Sequence, residues 1–316
     1  MKCLVVQPIH EDGLAILRAA GIEPVLAPGT DPDVLARMVR GCDGVITRDA
    51  GFSAAAFEGA DRLQVVVVHG TGHDAVNKAA AFEKGVLVAN TPGVNARSVA
   101  EHALALTLAL ARGVSAADAA ERSGTAGFRE SRTFVEFEGK TALIIGWGAI
   151  GSRFGRILDA AFGMRILVHS PHARDIGPYT RAASLEAGLG AADLISLHTP
   201  MRADTRHMMN AERFAAVKPG ALLVNLARAG LVDEAALDAA LGSGRIAGAG
   251  LDVYSPGAAQ GPLARHGNVI FTPHLGATTE EALSRVARAA AGHVVTALSG
   301  GLPATTLNPE LWKAPA

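Results

Sequence analysis

Three glycines, Gly146, Gly148 and Gly151, stand in the spacing GxGxxG. An apolar run at 141–145 precedes them. A helical pattern follows, with Phe154, Ile157, Leu158 and Phe162 spaced for one face, and a second apolar run at 164–168 closes the unit. Strand, glycine turn, helix and strand in that order form a βαβ unit of the kind that binds a dinucleotide. Each glycine has a physical task. Gly146 lets the chain leave the strand tightly. Gly148 carries no side chain, so a pyrophosphate can reach the backbone. Gly151 lets the helix pack close to the strand. The amides of the first helical turn, near Ala149 and Ile150, have no partner within the helix and lie at the positive end of its dipole, which suits a diphosphate.

The tip of the second strand bears on the cofactor's ribose. An acidic residue there ordinarily accepts hydrogen bonds from the ribose hydroxyls. The position is Ser170, followed by Pro171, His172, Ala173 and Arg174. No carboxylate repels a 2′-phosphate, and Arg174 offers a charge to pair with one, so the stretch leans toward NADP or dual use. Asp175 keeps NAD open if the loop folds back. Arg174 as a plain solvated charge is the competing reading.

Further polar residues follow apolar runs at 194–198, 221–226, 246–252 and 269–272. They are His198-Thr199-Pro200, Ala227-Arg228, Asp252 and Pro273-His274. In a parallel sheet ligands collect at the carboxyl ends of strands, so four polar clusters there make one coherent site. Helices expected near 211–217 and 233–241, punctuated by Gly220 and Gly244, connect the strands. Ahead of this region, strands at 3–7, 45–47, 63–68 and 86–89 alternate with helices at 11–20 and 53–57. Asp74 is a further cap candidate, so the first ninety residues read as a small parallel-sheet domain of their own. A long helix from about 96 to 111, opened by Asn95, links the two domains. It carries Glu101 and His102, which fit a linking role better than a chemical one. Residues 113–138 have weak patterning and read as an arm packed on a second subunit. A last long helix spans 280–298, and the tail from 301 is long enough to return to the first domain.

The composition narrows the partners. Of 316 residues, Lys and Arg number 29 and Asp and Glu 30, so the chain is nearly neutral. That balance points away from nucleic acid and anionic membranes. Aromatics are 4%, so Ala, Val and Leu must fill the core of a chain that is 49% hydrophobic. Cys3 and Cys42 read as free thiols in a reducing compartment, and the N-terminus lacks a signal-like apolar stretch, so a cytoplasmic protein is expected.

The stretches NTPGVNARSVAEHALAL, GKTALIIGWGAIG, DLISLHTPMRADTRHMMN, KPGALLVNLARAGLVDEAAL, GAGLDV and NVIFTPHLGATTEEA stand in the order of one family. The sequence resembles the D-isomer-specific 2-hydroxyacid dehydrogenases, which include phosphoglycerate, hydroxypyruvate/glyoxylate and formate dehydrogenases. The resemblance implies an α/β fold of two doubly wound parallel-sheet domains. One is a flavodoxin-like substrate domain built from 1–97 and 291–316; the other is a Rossmann cofactor domain over 98–290, with a dimerisation arm near 113–138. It implies a homodimer, a small 2-ketoacid or 2-hydroxyacid as ligand, NAD or NADP as cofactor, and no metal ligands. Arg228 matches the arginine that clamps the substrate carboxylate and polarises its keto oxygen, for which a forked guanidinium is suited. His274 matches the acid/base. Gly70, Thr71 and Gly72 match the loop whose amides hold the carboxylate, flanked by His69 and His73. Asp252 matches the residue that bonds the nicotinamide carboxamide. Thr199, the carbonyl of Leu226 with Ala227 beside it, and Gly276-Ala277 match other cofactor contacts.

One departure matters. The family's histidine partner is a glutamate five residues after the Asp252 position, and here that position is Gly257, in a segment from 254 to 262 without any acid. Gln260 lies three residues on, which is not the offset of the formate-oxidising branch. Three readings follow: an imidazole working without a carboxylate, another acid reaching in, or a dinucleotide-binding sensor or corepressor-like protein that has lost turnover.

Overall fold

A computed structural model describes residues 1–312 of the chain. It divides into two compact units, Met1–Asn95 with Thr278–Ala316, and Ala96–Ala277. In the first unit β1 (Lys2–Val5), α1 (Glu11–Ala19), β2 (Glu23–Leu26), α2 (Pro32–Met38), β3 (Gly44–Thr47), α3 (Ala54–Glu58), β4 (Val65–Val68), α4 (Lys78–Glu83) and β5 (Leu87–Ala89) alternate. The strands form one parallel sheet in the order β2-β1-β3-β4-β5, the flavodoxin-like order. All four residues of β4 are buried, because helices cover both faces and alternate side chains point to opposite sides. Val66 and Val68 join Leu4, Val45 and Phe57 on one face, while Val65 and Val67 join Cys3, Ile46 and Leu17 on the other. Both cysteines are free and buried.

The C-terminal helix closes the second face. It comes last in the chain, after the elements of the other unit. Those are α5 (Ala96–Arg112), α6 (Val114–Ser123), β6 (Thr141–Ile145), α7 (Ala149–Phe162), β7 (Arg165–His169), β8 (Thr180–Arg181), α8 (Leu185–Ala191), β9 (Leu194–Leu197), α9 (Ala211–Ala216), β10 (Ala221–Asn225) and α10 (Glu234–Gly242), with β11 (Ile246–Leu251) and β12 (Val269–Phe271) completing the sheet; α11 (Glu280–Leu298) then returns to the first unit. It is one unbroken helix capped by Thr279. Gly13 of α1 meets it closely: a Cβ there would lie 2.8 Å from the carbonyl oxygen of Ala287. The crossing between units therefore falls at 277/278, and not inside the helix at 290/291 as the resemblance implies. The tail returns to the first unit. Leu307 donates its N–H to Val88, Thr306 bridges Ala89 antiparallel, and the Asn308 side chain bonds both the N–H of Val88 and the carbonyl of Val86. The exposed edge of β5 is thereby covered.

The second unit is a parallel sheet in the order β12-β11-β10-β9-β6-β7-β8. Its strand order reverses between β6 and β9, which makes the turn after β6 the switch point where ligands bind. α5 lies across β10 and β11. Two glycines admit it: Cβ atoms on Gly248 and Gly250 would meet Leu110 and Leu106 at 3.3 and 3.1 Å. The segment read as an irregular arm holds a helix, α6, bounded by left-handed Gly113 and Gly124, whose inward positions are alanines rather than large apolar residues. Beyond it, Val135 donates to Ala111 and Phe137 is buried edge-on to Phe162. No single helix among the described residues is long and apolar enough to cross a membrane; α5 and α6 pass that length only as a pair bent by 57°.

Other differences have local causes. β2 escapes a sequence reading because it is an edge strand containing Pro24, half exposed along its length. The helix after β4 starts at Lys78 with Asn77 as its cap, not at Asp74. The buried Asn308 pairing gives a prediction. Asn308→Ala leaves the Val88 N–H of β5 and the carbonyl of Val86 just before it unmatched and should destabilise the first unit by about 2–4 kcal/mol, measured by urea unfolding. A change below about 0.5 kcal/mol would show that the tail contributes nothing to that edge.

Candidate functional site

At the turn after β6 the absence of side chains is structural. Gly146 has φ +98°, and a Cβ there would lie 2.5 Å from the carbonyl oxygen of His198. A Cβ on Gly151 would overlap the Gly146 carbonyl and sit 3.2 Å from His198 Cβ. Backbone from β6, β9 and α7 thus meets at one point. Gly148 is different. It caps α7 with φ −89°, uses no side-chain cap, and a Cβ on it would meet nothing within 4 Å. The space in front of Gly148 and of the α7 amides is therefore open, and the residues fit a diphosphate at that place.

That opening belongs to a cleft of about 630 Å³ lined by Gly146, Trp147, Gly148, Ser170, His198 and Thr199, among others. Trp147 packs edge-on to Tyr179 at 5.2 Å and against Gly155, where a Cβ would approach its ring to 2.7 Å. The tip of β7 is tied down by Arg181, which donates to the carbonyls of Ser170 and Ala173 at 2.7 Å each. Ser170, His172 and Ala173 line the cleft; Arg174 is exposed and is not among the lining residues. Asp175 accepts the N–H of Gly177, so its carboxylate serves its own turn. His198 is enclosed, edge-on to Phe154, with Nε2 2.7 Å from Ser196 Oγ. Burial pushes its pKa down to about 3, so it is neutral near neutral pH.

Arg228 follows the carboxyl end of β10 and His274 that of β12, two strands flanking β11 in the same sheet. The turn carrying Arg228 is held by buried Asn225, which accepts from the Ala227 N–H and donates to the Arg228 carbonyl. Arg228 itself donates to the Ala227 carbonyl at 2.7 Å. Leu226 is buried in the core. His274 has φ +54°, one of two non-glycine residues in the left-handed region among the described residues. Its N–H donates to the carbonyls of Asp252 at 3.0 Å and Thr272 at 2.9 Å. Such a conformation costs on the order of 1–2 kcal/mol for an L-residue, and here a buried carboxylate holds it. Asp252 is 1% exposed. It accepts from the Thr272 hydroxyl at 2.6 Å, the Leu275 N–H at 2.7 Å and the Gly276 N–H at 2.9 Å. Burial works to raise its pKa, but hydrogen bonds from His102, Thr272, Gly276 and Leu275 outweigh it and keep the carboxyl below its usual range. Asp252, through the Thr272 hydroxyl and the Leu275 and Gly276 amides, organises the turn of His274. Ala277 packs beside them against the face of α5.

In the first unit the loop after β4 is built from Gly70, Thr71 and Gly72. The Gly70 amide donates to Thr91 Oγ1 and to the Val68 carbonyl, and Asn90 donates to the Thr71 carbonyl. Gly70 therefore shapes the loop; its amide is already engaged. Two contacts of α5 escape a sequence reading. Ser98 donates to the Gly276 carbonyl at 2.7 Å, and His102 Nε2 lies 3.0 Å from Thr272 Oγ1. Their spacing with Leu106, one helical turn each, was the available signal.

A dinucleotide-type cleft at the switch point, with an arginine and a histidine at the carboxyl ends of strands in the same sheet, defines a nucleotide-dependent α/β protein of the two-unit class. More narrowly, the chain belongs to the D-isomer specific 2-hydroxyacid dehydrogenase family, whose NAD binding domain matches residues 104–276. It is 41% identical over 276 residues to D-3-phosphoglycerate dehydrogenase 3, chloroplastic, of Arabidopsis thaliana, covering 84% of this chain and 46% of that one. The chain spans about half the length of the curated relatives it matches. Among solved structures, the TT0316 protein of Thermus thermophilus superposes with a TM-score of 0.89 at 34% identity, over 97% of this chain and 100% of that one. An NADPH-dependent glyoxylate/hydroxypyruvate reductase of Sinorhizobium meliloti, in complex with NADP and malonate, has a TM-score of 0.86 at 27% identity, over 100% and 99%.

The two glycine environments separate binding from folding. Gly148→Val should fold with unchanged thermal stability yet lose NAD(P)H affinity at least tenfold, about 1.4 kcal/mol, because its side chain fills the diphosphate space. Gly151→Val should unfold or melt far lower. Quenching of Trp147 fluorescence by NAD(P)H measures the first; unaltered affinity in Gly148→Val would place the diphosphate elsewhere.

Proposed function

We propose that the chain is an NAD(P)-dependent oxidoreductase interconverting a 2-ketoacid and a D-2-hydroxyacid. The observation that carries this reading is the pair Arg228 and His274 at strand ends of the sheet that carries the glycine turn. When bound, the nicotinamide supplies or accepts the hydride at the substrate's C2. Arg228 binds the carboxylate and the keto oxygen through its fork of donors and so opposes the charge that develops on oxygen. Protonated His274 gives its proton to that oxygen as the carbonyl is reduced and takes it back in oxidation.

The substrate class draws on the names of relatives, a 3-phosphoglycerate dehydrogenase and a glyoxylate/hydroxypyruvate reductase. Ser170 in place of an acid supports acceptance of NADP beside NAD. A second copy of this chain is the proposed partner, through the region of α6 and the arm, where Val114 and Phe134 remain 56% and 42% exposed. The sensor reading rests on Gly257. It has φ +84°, and the carboxylate that does reach this segment, Glu234, accepts the backbone N–H of Ser255.

The test is a panel of glyoxylate, hydroxypyruvate, its 3-phosphate, pyruvate and longer 2-ketoacids with NADH and NADPH side by side. Turnover is expected with at least one. Arg228→Lys should lower kcat/KM by ~10²-fold or more, and His274→Ala should lower kcat by ~10²–10⁴-fold. Cofactor binding without consumption across the whole panel would favour the sensor.

A further inference from the structure

One face of α5 reads Ser98, His102, Leu106 and Leu110, each a helical turn from the next. The two leucines are seated on β11 through the gaps left by Gly250 and Gly248. That contact fixes the height of the helix along the strand. The two polar residues then fall beside the turn that carries His274, one on each side of it. Ser98 Oγ donates to the Gly276 carbonyl, and His102 Nε2 stands 3.0 Å from Thr272 Oγ1 and 3.3 Å from Asp252 Oδ1.

The direction of the bonds follows from the carboxylate. Asp252 is ionised and can only accept. The Thr272 hydroxyl, 2.6 Å from Asp252 Oδ1, therefore gives its hydrogen to the carboxylate. Its lone pair is left to accept, so His102 must carry its hydrogen on Nε2 and donate it. His102 is 20% exposed, shielded enough for this bond to compete with water.

We propose that His102 is a positioning residue for His274: its Nε2–H, donated to Thr272 Oγ1 beside Asp252, holds the turn in which His274 keeps its left-handed backbone. His102 touches no reacting atom. It acts through Thr272, whose carbonyl accepts the His274 N–H, and through Asp252, whose carbonyl accepts the same N–H. The assignment rests on the reading of His274 as the acid/base, and it goes further by tying the imidazole's placement to a helix that the resemblance assigns no part in the chemistry.

The experiment compares the full chain with His102→Leu, His102→Gln and Thr272→Val. With an active ketoacid, His102→Leu and Thr272→Val should lower kcat ten- to a hundredfold and leave KM for cofactor and ketoacid within about twofold; the melting temperature should fall in Thr272→Val, which strips a donor from the buried Asp252 carboxylate, and less in His102→Leu. His102→Gln, which retains an N–H donor, should recover most of the loss. In a His274→Ala background, His102→Leu should have no further effect on kcat, because its role is exercised through the missing imidazole. Independently of turnover, the imidazole proton NMR signal of His274, identified by its loss in His274→Ala, should shift or broaden in His102→Leu and in Thr272→Val. A kcat loss that is undiminished in the His274→Ala background, or a His274 signal unmoved in both variants, would overturn the assignment. A wild-type chain inert toward every ketoacid would instead remove the proposed reaction, leaving the NMR comparison to decide the tether.

Discussion

Three pieces of backbone meet where the chain leaves β6, and the meeting is possible only because two residues have no Cβ. Gly146 lies against the carbonyl of His198, and Gly151 lies against the carbonyl of Gly146. The consequence is a fixed relation between the turn after β6, the end of β9 and the first turn of α7. The helix amides are aimed into the cleft by that packing, not by any side chain. It also encloses His198, whose imidazole is kept neutral by burial beside Phe154. A side chain at either glycine would pry these segments apart, whereas one at Gly148 would only fill the space they face. The same spacing of three glycines thus contains two different constraints, one for folding and one for the ligand.

A second anchor sits across the sheet. Asp252 is a nearly fully buried carboxylate surrounded by donors from a loop, a hydroxyl and an imidazole. Burial alone would neutralise such a group; the donors keep it charged. A charge held that way is intolerant of movement, because each lost donor exposes an unbalanced anion to an apolar surround. The loop from Thr272 to Gly276 inherits this rigidity and presents His274 in a backbone conformation that a free chain would leave. Arg228, two strands away, is treated similarly through Asn225, with neutral amide chemistry in place of charge. Rigid elements hold the chemical groups, and the flexible-looking residues at strand ends are bonded back to the strands.

Much of this was legible in the sequence where the physics is local. The glycine turn, the βαβ unit around it and the apolar strands ending in Arg228, Asp252 and His274 can be read because both faces of a parallel sheet are buried and its strands are uniformly apolar. The edges were not legible: Pro24 and half-exposed neighbours disguise β2, and alanines disguise α6. The boundary at 277/278 depends on α11 packing as one piece against α1 around Gly13, a contact between residues far apart in the chain. The hydrogen bonds of Asp252 and Gly276 to the loop were not legible, because no spacing rule shows which donors a polar group at a strand end will meet.

Gly257 shows how far a single replacement can reach. The glutamate that the resemblance implies at that position is the one expected to partner the histidine. Here the residue has φ +84°, caps a short 3-10 turn and has open space around it. An L-residue inserted there would carry backbone strain of about 1–2 kcal/mol, so the loop is shaped for its glycine and restoring the acid is not a matter of one side chain. The backbone of His274 is held independently of that segment, since its N–H is accepted by two carbonyls and the turn around it is bonded to Asp252. The backbone of His274 is thereby placed by hydrogen bonds within its own loop and to the residue that follows β11.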